Sequence, residues 1–265
     1  MLVNSNVTHV LSIDVGVKNL TYSYINLYSE KEFYINKWEI IDVLSFGKSE
    51  IQQLCNNYNK MTKNQLKEAI LKEQIVEDVT TTEFKKLKKD DYKDIIKKYL
   101  KEKGLKTRKK DANLSIDDLG IKVIEMLDKK FDKIIETIDY VLIENQPCMK
   151  NPKMKSLQVI IMTYFLLKKI QLKKNTIVKC VPANLKMKYC ILRKYIDNKP
   201  KNYNDTKKMS CFVVSKLLEN MSDLPNKELR EKTMYNIEHI WNKSQKKDDL
   251  SDVVLQMLGF FYKKK

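Results

Sequence analysis

Apolar residues in this chain fall into strand-like runs near its start and into helix-spaced series later. Residues 7–15 (VTHVLSIDV) are a short run rich in β-branched side chains, Gly16 interrupts it, and a second run occupies 20–27 (LTYSYINL). The pattern predicts a β-hairpin with a tight turn from Gly16 to Asn19. A third strand is predicted over 33–43, where Trp38 alternates with polar neighbours, completing an antiparallel meander. Residues 140–144 (YVLIE) are continuously apolar up to Glu144 and too short for a helix, which marks a buried strand that ends at Asn145, Gln146 and Pro147. A long helix is predicted from Lys153 to Gln171, a strand over 176–181 (TIVKCV), and helices over 185–196, 206–220, 227–242 and 249–262. Between the meander and the fourth strand, residues 58–128 are rich in charged, helix-favouring side chains and read as a helical insertion. The order βββ, insertion, β, α, β, helices implies an α/β domain with a mixed sheet. No internal repeat is visible.

Charge changes the picture more than composition does. The chain has 265 residues, 43% of them hydrophobic, enough for one substantial core plus an insertion. Its 51 Lys+Arg against 34 Asp+Glu leave a formal charge of +17, suited to phosphate backbones or anionic lipid. Residues 85–110 alone hold 13 basic and four acidic side chains. A solvated face or mobile arm is the ordinary explanation of such a run. The alternative is an arm that grips DNA, and Tyr99–Lys110 faintly resembles the helix-Gly-Leu-helix of a SAP module. Only three of the cations are Arg, a bias that an AT-rich genome produces through its codons.

Several classes drop out. The greasiest stretch, Val159–Leu167, is far shorter than the roughly 20 residues of a membrane helix. Met1–Val10 has no signal-peptide pattern. The five cysteines are scattered without metal-ligand spacing, so a reducing, intracellular compartment with buried thiols is expected. No GxxxxGK occurs, so no nucleotide cofactor is expected.

Acidic residues stand out at three places in the chain. Asp14 sits inside an otherwise apolar strand, where an ionised carboxylate is costly unless it is paired or holds a metal. Glu144 poses the same problem at the end of its strand. Asp249 and Asp252, three positions apart, share one face of a helical first turn beside Asp248. Each has a plainer explanation: Asp14 as a cap of the turn at Gly16, Glu144 as half of a rim salt bridge, and the helix pair as capping residues favoured by the macrodipole. The set is more telling than its members. Oxygen ligands without His or Cys select Mg²⁺ or Mn²⁺, and such ions hydrolyse phosphodiesters.

The same residues carry a resemblance. Ile13-Asp14-Val15-Gly16 followed by Asn19-Leu20-Thr21 is similar to the first strand and turn of RuvC-like resolvases. Leu142-Ile143-Glu144-Asn145-Gln146-Pro147 resembles the Ile-Glu-x-Gln-Pro element of poxvirus and fungal mitochondrial Holliday junction resolvases. Lys246-Lys247-Asp248-Asp249-Leu250-Ser251-Asp252 is similar to their Lys-Lys-Asp-Asp-x-Ala-Asp element, with Ser251 in place of Ala. The resemblance implies a ribonuclease H-like fold, a mixed five-stranded sheet flanked by helices, interrupted here by the basic insertion. It implies that Asp14, Glu144, Asp249 and Asp252 hold two Mg²⁺ or Mn²⁺ ions, with Asp248 as a substitute or helper. It also places a catalytic lysine at Lys207 or Lys208, and DNA contacts at Lys18, Asn19, Gln146, Lys186, Lys207 and Lys208.

The expected activity is symmetric cleavage of four-way DNA junctions by a homodimer, leaving a 3′-hydroxyl and a 5′-phosphate. The expected source is a large DNA virus, acting in the host cytoplasm. Two rivals remain open at this point: a related flap, fork or RNA/DNA-hybrid nuclease, and a non-catalytic basic architectural DNA-binding protein. Trp38, Trp241, His9 and His239 are expected to be structural.

Overall fold

The computed structural model describes residues 7–47, 50–76, 84, 86–104, 114–149, 151–196, 200, 202–222 and 226–262. Its strands are β1 (Thr8–Asp14), β2 (Asn19–Leu27), β3 (Phe33–Asp42), β4 (Tyr140–Glu144) and β5 (Ile177–Val181). Among the described residues the helices are α1 (Glu50–Asn57), α2 (Lys63–Lys72), α3 (Lys89–Glu102), α4 (Ile116–Phe131), α5 (Pro152–Gln171), α6 (Leu185–Leu192), α7 (Tyr203–Ser222), α8 (Lys227–Asn236) and α9 (Lys247–Tyr262).

The five strands form one sheet in the order β3-β2-β1-β4-β5. The first three pair antiparallel, whereas β4 and β5 run parallel to β1. This is the mixed sheet of the ribonuclease H-like fold. The β1–β2 turn is closed so tightly that a Cβ on Gly16 would lie 2.2 Å from the Asn19 carbonyl oxygen, so only glycine fits there. Tight turns suffice for antiparallel neighbours, while the parallel β4–β5 pair needs the crossover that α5 supplies.

Alternation along the strands sends side chains to two faces. Val10 and Leu142 join the core under α6, α7 and α9. On the opposite face Tyr22 meets Phe131 of α4 edge-on at 4.9 Å, and Phe131 meets Phe165 of α5 at 5.8 Å. Trp38 and Trp241 are both buried and stacked 5.5 Å apart, in keeping with a structural role. The exposed His239 lies against Tyr235, and the His9 backbone N–H donates to Asp139. All five cysteines are free; Cys55 and Cys190 are buried, but Cys148 is exposed. No helix among the described residues is long and apolar enough to cross a membrane.

The chain divides into two compact units, Met1–Leu44 with Ser115–Lys265, and Ser45–Leu114. Helix α4, most of which falls within the 58–128 stretch expected to be insertion, therefore packs in the sheet unit. There Gly120 lets it approach Ile160 of α5, and Asp128 accepts from the Tyr164 hydroxyl at 2.9 Å. The exposed Asp117, Asp118, Glu125 and Lys129 resemble the insertion in composition, but Leu119, Val123, Met126, Leu127 and Phe131 form a buried stripe.

The second unit has its own small core, built on Leu54, Tyr58, Leu66, Ile70, Tyr92, Ile96 and Leu100. Its helix ends follow ordinary capping chemistry. Thr62 and Gln65 form a capping box on α2, and α3 carries Asp90 and Asp91 in its first turn and Lys101 in its last. Residues 105–110, half of the SAP-like stretch, lie outside the described residues.

Candidate active site

Strand register builds the first half of the site. Ile13 pairs with Ile143 across the parallel β1–β4 seam, so the next residues, Asp14 and Glu144, leave neighbouring strand ends together. Helix α9 brings Asp252 to the same place from its first turns. Ligand oxygens of Asp14, Glu144 and Asp252 all lie within 4.8 Å of one another. Lys186, in the first turn of α6, completes the group: its Nζ donates to Glu144 Oε2 at 2.8 Å and to Asp252 Oδ2 at 2.6 Å.

The electrostatics are those of an under-compensated cluster. Three carboxylates face one ammonium, which would leave two negative charges with all three ionised, in a place where the Lys186 side chain is only 9% exposed. Burial, with Glu144 adding to it and Lys186 opposing, pushes the Asp14 carboxyl up to about 7. Burial also raises Asp252 despite its bond to Lys186. For Lys186 itself burial favours the neutral amine, but Asp252, Glu144 and Asp14 outweigh it and hold the ammonium above its usual range. Three hard oxygen donors with two uncompensated charges fit a divalent cation of the Mg²⁺ or Mn²⁺ kind.

A chain of amides leads away from Asp14. The buried Gln146 places its Nε2 at 3.5 Å from Asp14 Oδ1, a long contact, and its backbone N–H donates to Gln158 Oε1 at 2.8 Å. Lys155 Nζ bridges Asn145 Oδ1 and Gln158 Oε1 at 2.8 and 3.1 Å.

The remaining candidates lie elsewhere. The Asp249 carboxylate is outside the three-residue group and sits 3.4 Å from Lys246 Nζ, although it is near enough to help raise Asp14. Asp248 is ion-paired with Lys207, and that bond holds Lys207 above its usual range. Lys208 and Lys18 are exposed, and Asn19 is half-buried in the β1–β2 turn. Of the lysines named from the resemblance, Lys186 is the one that touches the carboxylates.

Gln256 went unnoticed in the sequence. It lies in the apolar run Val253-Val254-Leu255-Gln256-Met257-Leu258, the same kind of misfit that singles out Asp14.

No protein-family model and no curated protein matches this sequence. Solved structures similar to it include these two. One is the yeast mitochondrial Holliday junction resolvase Ydc2, at 16% identity and a TM-score of 0.42, covering 96% of this chain and 78% of that one. The other is RuvC of Thermus thermophilus, at 9% identity and a TM-score of 0.37, covering 96% and 95%. Likeness at this distance leaves the chemistry to be read from the side chains.

Proposed function

We propose that this chain is a Mg²⁺- or Mn²⁺-dependent endonuclease of the RuvC-like type that resolves four-way DNA junctions as a homodimer. The observation that carries this reading is the convergence of Asp14, Glu144 and Asp252, from three distant parts of the chain, around Lys186. Those three carboxylates would hold one ion and Asp249, three residues before Asp252, would help to hold a second. Two such ions supply an activated water on one side of a phosphodiester and stabilisation of the leaving oxygen on the other.

The protein's own groups do the positioning. Lys186 brings a fixed positive charge to the carboxylates and can donate to a non-bridging oxygen of the phosphate to be cut. Gln146 steadies Asp14 through its Oδ1. Lys207 and Lys208 on α7, with Lys18 and Asn19 in the β1–β2 turn, would contact flanking phosphates, and the formal charge of +17 favours that partner.

A junction needs two matched nicks, and a two-fold dimer presents two equivalent sites. Support for association comes from the outer faces of α4 and α5. Ile121, Ile124, Val159, Leu167 and Ile170 are exposed on these two packed helices and offer apolar side chains to a second copy.

The test is cleavage of a synthetic four-way junction with Mg²⁺, beside flap, fork, RNA/DNA hybrid and linear duplex. Glu144→Gln should bind the junction like the parent and cut it about a thousandfold more slowly, ~4 kcal/mol in barrier. Undiminished cleavage by this variant removes the site. Equal cutting of every substrate removes the junction preference.

A further inference from the structure

Three carboxylates from β1, β4 and α9 serve one ion only if the helix holds a fixed position over the seam between the two strands. Gln256 is placed to do this. It lies four residues after Asp252, on the same face of α9, and is 2% exposed. Its Nε2 lies 3.1 Å from Ser12 Oγ and 3.3 Å from the Ile13 carbonyl oxygen on β1, and 3.1 Å from the Leu142 carbonyl oxygen on β4. Two of these three atoms are carbonyl oxygens, which only accept, so the amide must present its NH₂ end to the seam.

Those contacts fall next to the ligands. Ile13 immediately precedes Asp14, and Leu142 lies two residues before Glu144. One side chain thus links the helix that carries Asp252 to both strands that carry the other carboxylates. Apolar packing of α9 against the sheet holds the two surfaces together, but it is non-directional and tolerates sliding. A buried amide with fixed acceptors does not, because a shift leaves it desolvated and unpaired.

We propose that Gln256 is the positioning residue of the metal site, fixing Asp252 relative to Asp14 and Glu144. This rests on reading the three carboxylates as metal ligands. It assigns Gln256 no contact with substrate or ion, and a role distinct from Gln146, which touches Asp14 itself.

The test measures Mn²⁺ binding to the full chain without DNA, by calorimetry and by the electron-spin signal of the bound ion. Gln256→Met keeps the length of the side chain and removes its donors. It should weaken Mn²⁺ by about tenfold, the usual scale for residues that orient ligands, and broaden the bound-ion signal. Leu217→Ala controls for general loosening, since it truncates a core side chain near Glu30 and Phe33, at the end of the sheet away from Asp14. It should lower the melting temperature yet leave Mn²⁺ affinity near the parent value. If Gln256→Met binds Mn²⁺ as the parent does, or no worse than Leu217→Ala, the positioning role is overturned while the metal site stands. If the parent binds no Mn²⁺ that Asp14→Asn abolishes, the metal site and the positioning role fall together.

Discussion

The described residues of the 45–114 unit bury no charged side chain, whereas the sheet unit draws three carboxylates and an ammonium into one partly desolvated place. Among the described residues every buried polar or charged side chain, from Ser12 to Gln256, belongs to the sheet unit. In α3 the acids stand at the first turn and Lys101 at the last, as the helix dipole favours, and Lys93 pairs with the exposed Asp90. Such an arrangement needs no function to explain it. The cluster around Lys186 is different, because burying unbalanced charge lowers stability and persists only where something is gained. Abundant charge and costly charge are separate signals, and the second points to chemistry.

The sharpest way to break this contrast is to remove one cation from each unit. Lys186→Met leaves three carboxylates without their ammonium and should cost about 4 kcal/mol of stability in chelator, as for other broken buried pairs, with much of it regained on adding Mg²⁺. Lys97→Met in α3 should change stability by less than about 0.5 kcal/mol with or without Mg²⁺. Chemical denaturation of both proteins checks the pair, and equal losses would erase the distinction.

Of similar size is the pH effect of Asp14. The folded protein holds that proton up to about 7, whereas the carboxyl ordinarily releases it near 3.8. A folded-state acid with a raised pKa destabilises as it ionises, so the metal-free protein should lose stability as pH climbs from about 4 to about 7 and change little from this source above that. Metal binding should tighten over the same window as the proton is displaced. The parent curve minus that of Asp14→Asn isolates the effect from carboxylates with the opposite sign, such as Asp128, which its hydrogen bond from Lys168 holds below the usual range. A difference curve that is flat across this window would contradict the shared burial of the cluster.

Smaller again is Gly259→Ala. A Cβ at Gly259 would meet the Leu185 carbonyl oxygen at 2.7 Å, where α9 touches the start of α6. The strain should cost about 2 kcal/mol, and displacement of Leu185 should carry Lys186 away from Glu144, slowing cleavage beyond what the stability loss explains. The smallest effect is expected for the triple charge reversal of Lys97, Lys98 and Lys101, all exposed. It should change stability little and reduce the salt dependence of DNA binding only if that surface meets phosphates.

Much of the fold was legible in sequence because its cues are local. The 140–144 run and the β-branched stretch before Gly16 are strands over nearly the bounds their patterns suggest. Less legible was the edge of the insertion, since the charged outer positions of α4 hide a core stripe that shows its meaning only against α5. The helix expected over 227–242 ends at Asn236 and continues as a π-helical turn over Ile237–Trp241 that seats Trp241 against Trp38. Ring stacking between distant segments leaves no mark in local periodicity.

The sequence by itself determined that Asp14 and Glu144 belong to apolar strands and that Asp248, Asp249 and Asp252 open a helix, because burial preference and periodicity act within a few residues. Which of the three helix carboxylates joins the strand pair, and which lysine stands with them, was decided only by the tertiary structure. Trp38 donating to the Leu250 carbonyl oxygen at 3.0 Å and Gln256 on the β1–β4 seam set how α9 lies on the sheet, so Asp252 enters, Asp249 stays beside Lys246, and Asp248 pairs with Lys207. Neighbouring helical residues point about 100° apart. Their order along the chain leaves that choice open, and the seat of the helix makes it.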